Sequence, residues 1–478
     1  MGHFDIFKLI TLNQSNFMKI FNQLNFNTLL RGGVAIFLLT YFMACLVMEN
    51  KFTALAPGIW RVSLQLVPKE IVKHQQNEIH SARQLLTQKN KQILPDNVRY
   101  EEATEGELPF LWEVKYVNDT SFYIEIINGE ERIKVDAQDI HHGHNRQTGK
   151  DTLRVDFPVF GSYLRALYQE RVIEGEWVVP AKNLSIPFVA RFGQNYRFTT
   201  VNKTPTANLT GKWDCDFDLA AKEPYKAIGE LTQKGNILRG TFRTETGDYR
   251  FLDGEVQGEK FYLSCFDGAH AFLFEGKIRA DGHLDGSFRS SKSEPEIWIG
   301  KRNDNAQLKD ANTLTTANTE GAISFNFPNS DGKRVALSEY GSKVKILQLM
   351  GTWCPNCFDE TKFIINYLKE NPSVGEKVAV IPLAFERNAE VAATQVATYK
   401  KRMGMPYDIL IAGTTTSKDS AIKSLPFLNQ VVAYPTMVFV DKNNHVRRIH
   451  TGFDGPATSK YADFAKEFDV FIKKLIAE

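Results

Sequence analysis

Between residues 60 and 300 apolar and polar positions alternate in short runs, whereas beyond residue 320 the apolar runs become continuous and are separated by stretches of helical spacing. The runs at 60–67 (WRVSLQLV), 110–117 (FLWEVKYV), 122–127 (FYIEII) and 131–135 read as half-buried strands. The Asn128-Gly129 pair between the last two predicts a hairpin with a type I′ turn, whose two central residues need positive φ. Residues 69–90 have helical composition, with Ile71, Ile79, Leu85 and Leu86 loosely periodic, and are expected to insert as a helix over the sheet.

Residues 211–300 hold twelve of the chain's 32 glycines, and such density marks frequent turns. Alternation between those turns predicts a meander that closes into a barrel or sandwich. Two β-rich modules are therefore expected, 55–205 with the helical insertion and 211–300. Both open with Gly-x-Trp, at Gly58 and Trp60 and at Gly211 and Trp213. A degenerate duplication would produce this, and so would a Trp packed independently under the first strand of each module.

Residues 302–320 have almost no large apolar residue and read as a flexible linker. A third domain, 321–478, follows. It begins with a strand-like stretch at 323–327, an Asp331-Gly332-Lys333 turn and a buried strand at 344–350. Next come Trp353-Cys354-Pro355-Asn356-Cys357 and an amphipathic helix carrying Phe358, Phe363, Ile364 and Leu368. A strand at 378–385, a helix at 389–402, strands at 436–440 and 445–451 and a last helix at 460–476 complete an α/β pattern. It fits a mixed sheet with helices on both faces.

Length and composition agree with a multidomain protein, since 478 residues at about 150 per domain give roughly three. Hydrophobic residues at 43% and charged residues at 24% exclude a wholly disordered chain and a polytopic membrane protein. Lys and Arg balance Asp and Glu to a net charge of +2, with no long basic run, so no nucleic-acid partner is expected.

The apolar stretch at 32–48, preceded by Lys19 and Arg31, reads as an export signal or anchor within residues 1–50. Ala44-Cys45 resembles the lipobox of bacterial lipoproteins. Phe42 stands where Leu is usual, however, and Leu46, Val47 and Met48 continue the apolar run. Lipid attachment at Cys45, an uncleaved anchor and an incidental cysteine all remain open. The first two place the rest of the chain in the cell envelope, tethered to a membrane and facing the periplasm.

The candidate chemistry lies in the third domain. A thiol at the mouth of a helix meets free backbone N–H groups and the positive end of the peptide dipoles, which favour thiolate. Cys354 is thus the expected nucleophile, and Cys357, one turn on and deeper, the resolving thiol. Pro355 suits the first helical turn, where no N–H partner is needed. The competing readings are a zinc half-site, which lacks a second ligand pair nearby, and two inert thiols. No cofactor is expected beyond the Cys354–Cys357 disulfide itself. No metal is expected either: the cluster His141, His142 and His144 lacks nearby ligands and reads as a solvated loop. Cys215 and Cys265, on predicted strands, are either buried thiols or a disulfide.

These residues together resemble the TlpA/ResA-like thiol:disulfide oxidoreductases of the thioredoxin superfamily, exported and membrane-tethered in bacteria. The resemblance is carried by Asp331-Gly332-Lys333, Leu337-Ser338, the strand into Trp353-Cys354-Pro355-Asn356-Cys357, Glu360, and Tyr434-Pro435-Thr436. It implies a thioredoxin fold and a cis peptide before Pro435 facing the cysteines. It also implies a substrate chain bordered by Trp353, Pro355, Tyr434 and Thr436. The partners it implies are protein thiols or disulfides and a membrane electron donor or acceptor. Gln348 stands where thioredoxin has a buried Asp, and the resemblance then makes Glu360 the group that handles the proton of Cys357; an ordinary surface Glu is the alternative. Pro355-Asn356 departs from the Pro-Pro or Glu-Pro common in the family, which leaves the potential open. The β-modules resemble N-terminal regions of such proteins in the Bacteroidota, through GIWR and the NGEE hairpin. Two other functions compete: a peroxiredoxin-like peroxidase, and an envelope binding protein whose β-modules capture a ligand.

Overall fold

The computed structural model describes residues 55–67, 105–145, 149–415 and 420–478. The apolar segment with Cys45 and the expected helix at 69–90 lie outside the described residues. Among the described residues no helix is long and apolar enough to cross a membrane. The described residues within 55–143 and 150–478 pack as one unit.

The first module is a nine-stranded antiparallel sheet. β1 (Gly58–Gln65), β2 (Glu107–Tyr116), β3 (Phe122–Asn128) and β4 (Glu131–Val135) follow the four runs read from the sequence. β5 (Ile140–Asn145), β6 (Lys150–Phe157), β7 (Ser162–Gln169), β8 (Val172–Val179) and β9 (Leu184–Phe192) extend it. β9 returns to pair with β1, giving the order β4-β3-β2-β1-β9-β8-β7-β6-β5. His141 and His142 lie on β5 rather than in a loop, His141 3.2 Å from Asp156 and His142 stacked on Phe122. The β3–β4 hairpin is present, but Asn128 pairs with Glu131, so the loop residues are Gly129 and Glu130. Of these only Gly129 has positive φ, the pattern of a type II′ turn rather than I′. Asn128 is instead buried in the contact between modules, its Nδ2 donating to the Phe266 carbonyl at 2.9 Å.

The second module closes. Its strands are β10 (Gly211–Phe217), β11 (Tyr225–Lys234), β12 (Ile237–Thr244), the short β13 (Gly247–Asp248), β14 (Leu252–Gln257), β15 (Lys260–Phe266), β16 (Ala271–Ile278), β17 (Leu284–Ser290) and β18 (Glu296–Arg302). β18 pairs with β10 and β11 with β12, so the meander forms a barrel rather than a sandwich. Trp213, Phe217, Phe242, Phe261, Phe274 and Trp298 fill the interior. Cys215 and Cys265 are fully buried among them as unbridged thiols, and burial pushes Cys215 up to about 12. The two modules begin alike. Trp60 Nε1 donates to the Ala56 carbonyl and Trp213 Nε1 to the Leu209 carbonyl, each at 2.9 Å and each past a glycine with positive φ.

The third domain has a five-stranded sheet of order β23-β22-β21-β24-β25. The strands are β21 (Val344–Met350), β22 (Val378–Glu386), β23 (Leu410–Thr414), β24 (Thr436–Val440) and β25 (Val446–Thr451), after a small β19 (Asn326–Pro328) and β20 (Arg334–Ala336) hairpin. The helices are α1 (Pro355–Glu370), α2 (Pro372–Gly375), α3 (Ala392–Met403), α4 (Ser420–Ser424) and α5 (Tyr461–Ala477). Phe363 and Ile364 of α1 and Phe464, Phe468 and Ile472 of α5 cover one face through Ile346, Val380 and Phe439. Leu347, Leu349, Ile381 and Leu383 point to the other, where Ala421 of α4 and Val335 of the hairpin meet them.

Residues 302–320, expected as a flexible linker, instead close β18 with Arg302 and then bond to the third domain. The Thr451 N–H donates to the Ala311 carbonyl, Arg448 Nε to Asn312 Oδ1, and the Asn318 N–H to the Phe427 carbonyl. Thr315 is buried, and its hydroxyl accepts from Thr451 at 2.9 Å. A polar segment has no core-forming period and so reads as a linker, yet hydrogen bonding along β25 fixes it equally well.

Candidate active site

β21 delivers the chain to Cys354, which caps α1. Its sulfur accepts the Cys357 N–H at 3.2 Å, and Pro355 occupies the first helical position. The expected placement of a thiol on free backbone N–H groups is therefore realised. On its other side the Cys354 thiol donates to the Tyr434 carbonyl at 3.4 Å, and the Tyr434–Pro435 bond is cis. Trp353 meets Tyr434 edge-on at 5.9 Å and donates Nε1 to the Phe385 carbonyl. Pro355 and Thr436 are buried, and the Thr436 hydroxyl turns back to the Ala433 carbonyl, so Thr436 faces the site only through its backbone.

Beneath the cysteines lies a closed polar cluster. Gln348 Nε2 donates to Glu360 Oε2 at 2.9 Å and to Thr361 Oγ1 at 3.0 Å, and the buried Tyr399 hydroxyl donates to Thr361. Glu360 is fully buried, not the surface residue of the alternative reading, and its Oε1 has no hydrogen-bond partner. Burial raises its carboxyl to about 8, with the Gln348 bond pulling the other way. Burial likewise pushes the Cys357 thiol well up, and the neighbouring Cys354 and Glu360 add to the shift.

A family model, Redoxin, matches residues 315–464. The chain is 25% identical over 131 residues to the thioredoxin-like protein YneN of Bacillus subtilis, covering 27% of this chain and 69% of that protein. It is 29% identical over 142 residues to the thiol-disulfide oxidoreductase ResA of Geobacillus thermodenitrificans, covering 29% and 74%. The third domain thus matches the Redoxin family model and is similar to thioredoxin-like, ResA-type thiol-disulfide oxidoreductases. Among solved structures, a thioredoxin-family thiol:disulfide interchange protein from Chlorobium tepidum TLS is similar at 20% identity, covering 34% of this chain and 98% of its own, with TM-score 0.26. A secreted disulfide oxidoreductase of Mycobacterium tuberculosis is similar at 14% identity, covering 32% and 96%, with TM-score 0.24.

The redoxin domain does not present its cysteines openly. Cys354 is 6% exposed and Cys357 0%, so the expected order of depth is present but the expected exposure of Cys354 is not. The preceding modules pack close by. Val159, from the β6–β7 turn, packs against the cluster that contains both cysteines, and Phe160 meets Phe358 at 5.6 Å. From the barrel, the Asp248 carbonyl accepts from Asn356 Nδ2 at 3.4 Å. Gly247 approaches so closely that a Cβ there would lie 2.2 Å from that nitrogen. The residue that departs from the family's usual dipeptide is thus the one that meets the barrel.

Three groups at the redoxin site escaped sequence reasoning. Glu386 closes β22 and holds the approach to Cys354, accepting the Thr352 N–H at 2.9 Å and its hydroxyl at 2.8 Å. Arg387 lies over the Trp353 ring, 4.3 Å from its centroid. Arg250 of the barrel reaches α1 at Asp359. A charged pair ending an otherwise apolar strand was the available signal for the first two; nothing local marks Arg250.

Proposed function

We propose that the protein is a membrane-tethered, extracytoplasmic thiol:disulfide oxidoreductase that works through Cys354 and Cys357. The observation that carries this reading is the Cys354 sulfur set between the Cys357 N–H and the Tyr434 carbonyl of the cis-proline loop. Cys354 thiolate attacks one sulfur of a substrate disulfide, forming a mixed disulfide and expelling the other sulfur as thiolate. Cys357, losing its proton to Glu360, then attacks Cys354, releases the second substrate thiol and leaves the Cys354–Cys357 disulfide. An external dithiol restores the reduced pair, and the same steps run backwards oxidise a substrate. The Tyr434 carbonyl gives an extended substrate a backbone partner beside the reacting sulfur.

The aromatic filling of the barrel leaves its strands a structural part rather than a ligand-holding one. The address rests on residues 32–48 and Cys45: fatty-acid labelling lost in Cys45→Ala supports lipid attachment, whereas a reporter fused after residue 120 and active only in the cytoplasm overturns export. The chemistry is tested by a redox titration of the full chain with mass detection of Cys354 and Cys357. A two-electron transition confined to that pair is expected. Rapid consumption of hydrogen peroxide without exchange with protein disulfides would favour the peroxidase instead.

A further inference from the structure

We propose that Arg387 selects, for the exchange proposed above, disulfides that carry an acidic group beside the reacting sulfur. Arg387 follows β22 directly and lies half-buried with its guanidinium stacked on Trp353. Trp353 is itself fixed by its Nε1 bond to Phe385 and by Tyr434 against its edge. The stack therefore stands as a wall immediately beside Cys354, on the residue that precedes it.

The charge on that wall makes no ion pair. Among the described residues no carboxylate lies at ion-pair distance from Arg387. Its neighbour Glu386 points inward and is occupied by both donors of Thr352. Burial weighs against the Arg387 charge, the nearby Cys354 sulfur and Glu386 carboxyl favour it, and Lys182 of the first module adds a second positive charge nearby. A partly desolvated guanidinium gains from an aromatic face but more from a carboxylate, and its planar donors suit one. A substrate whose cysteine is bound at the Tyr434 carbonyl brings its neighbouring side chains to this wall. An Asp or Glu there completes the pair, whereas a Lys or Arg meets two like charges.

A purely thiolate-supporting Arg387 would speed every disulfide alike, so charge selection is read as a ratio. The reduced full chain is reacted with 3,3′-dithiodipropionate, which is anionic, and with cystamine, which is cationic. Each rate is divided by that for neutral bis(2-hydroxyethyl) disulfide. The wild type is expected to favour the anionic probe, and Arg387→Gln to narrow the anionic-to-cationic ratio about threefold. Arg387→Lys should keep most of the ratio, and about 0.5 M salt should compress it in the wild type but not in Arg387→Gln. An unchanged ratio in Arg387→Gln, with the rates falling together, overturns the selection while leaving the exchange chemistry intact. A wild type that reacts with none of the three probes overturns the oxidoreductase reading and this inference with it.

Discussion

Arg250, in the barrel loop after β13, forms a buried ion pair with Asp359, two residues beyond Cys357 on α1. The same guanidinium holds Glu131 of the first module at 2.7 Å and Asp267 of the barrel at 3.2 Å. One side chain thus joins both β-modules to the helix that carries the cysteines. Removing a buried charge strands its partners, so Arg250→Gln should cost about 3–5 kcal/mol. Asp359→Asn should cost less, because Glu131 and Asp267 still balance the guanidinium. Urea unfolding of both single variants and the double variant reads the coupling, expected above about 1 kcal/mol. Additive losses would mean that the pair does not link barrel and helix energetically.

Glu360 makes a signed prediction. Its folded value of about 8 lies above the ordinary 4.5, so the folded protein keeps a proton that the unfolded chain releases between those values. The associated stability is fully present below pH 4.5 and is lost as pH rises through about 8, by up to about 1.4 kcal/mol per unit. Glu360→Gln, which cannot titrate, should remove that slope. It should also slow resolution by Cys357, about tenfold or more near neutral pH, if the carboxylate takes the thiol's proton. Stability and rate profiles that overlay the wild type would deny Glu360 both parts.

Cys354 should alkylate faster than Cys357, since its sulfur receives a helix N–H and Cys357 is wholly buried with its thiol pushed up. Iodoacetamide labelling of the reduced full chain with peptide mass detection gives both rates. Cys357→Ser should accumulate mixed disulfides through Cys354, whereas Cys354→Ser should not. Faster labelling of Cys357 would reverse the assigned order.

Much of this site was legible because thiol chemistry leaves a local signature. Cys354, Pro355 and Cys357 lie within one helical turn, and strand periodicity places that turn at the end of β21. The barrel was likewise readable, since alternation and turn glycines repeat along 211–300. What escaped depends on distant pairing. The strands at 140–192 carry the same alternation as their neighbours, as in β6, but alternation alone does not say where one strand ends and the next begins. The Arg250 contacts span more than a hundred residues in both directions, which no local pattern reports. The packing of Val159 belongs to the same class: it is an ordinary apolar turn residue until the cluster that contains both cysteines is packed against it.

Thr352→Val tests how the approach to Cys354 is held. The Thr352 hydroxyl and N–H both donate to Glu386, whose carboxyl burial raises while those two bonds oppose the shift. Valine keeps the shape and the N–H but leaves Glu386 Oε2 buried without its donor, which should cost about 1–3 kcal/mol. The loss should grow with pH, because the orphaned carboxylate is dearest when charged. Glu386→Gln in the Thr352→Val background removes that charge and should recover part of the stability above neutral pH. Because Trp353 and Cys354 follow Thr352 directly, a loosened turn should also slow alkylation of Cys354 in the folded variant. Thermal unfolding and iodoacetamide rates across pH separate the two effects, and a Thr352→Val protein matching the wild type in both would leave the Glu386 clamp without a role in positioning the nucleophile.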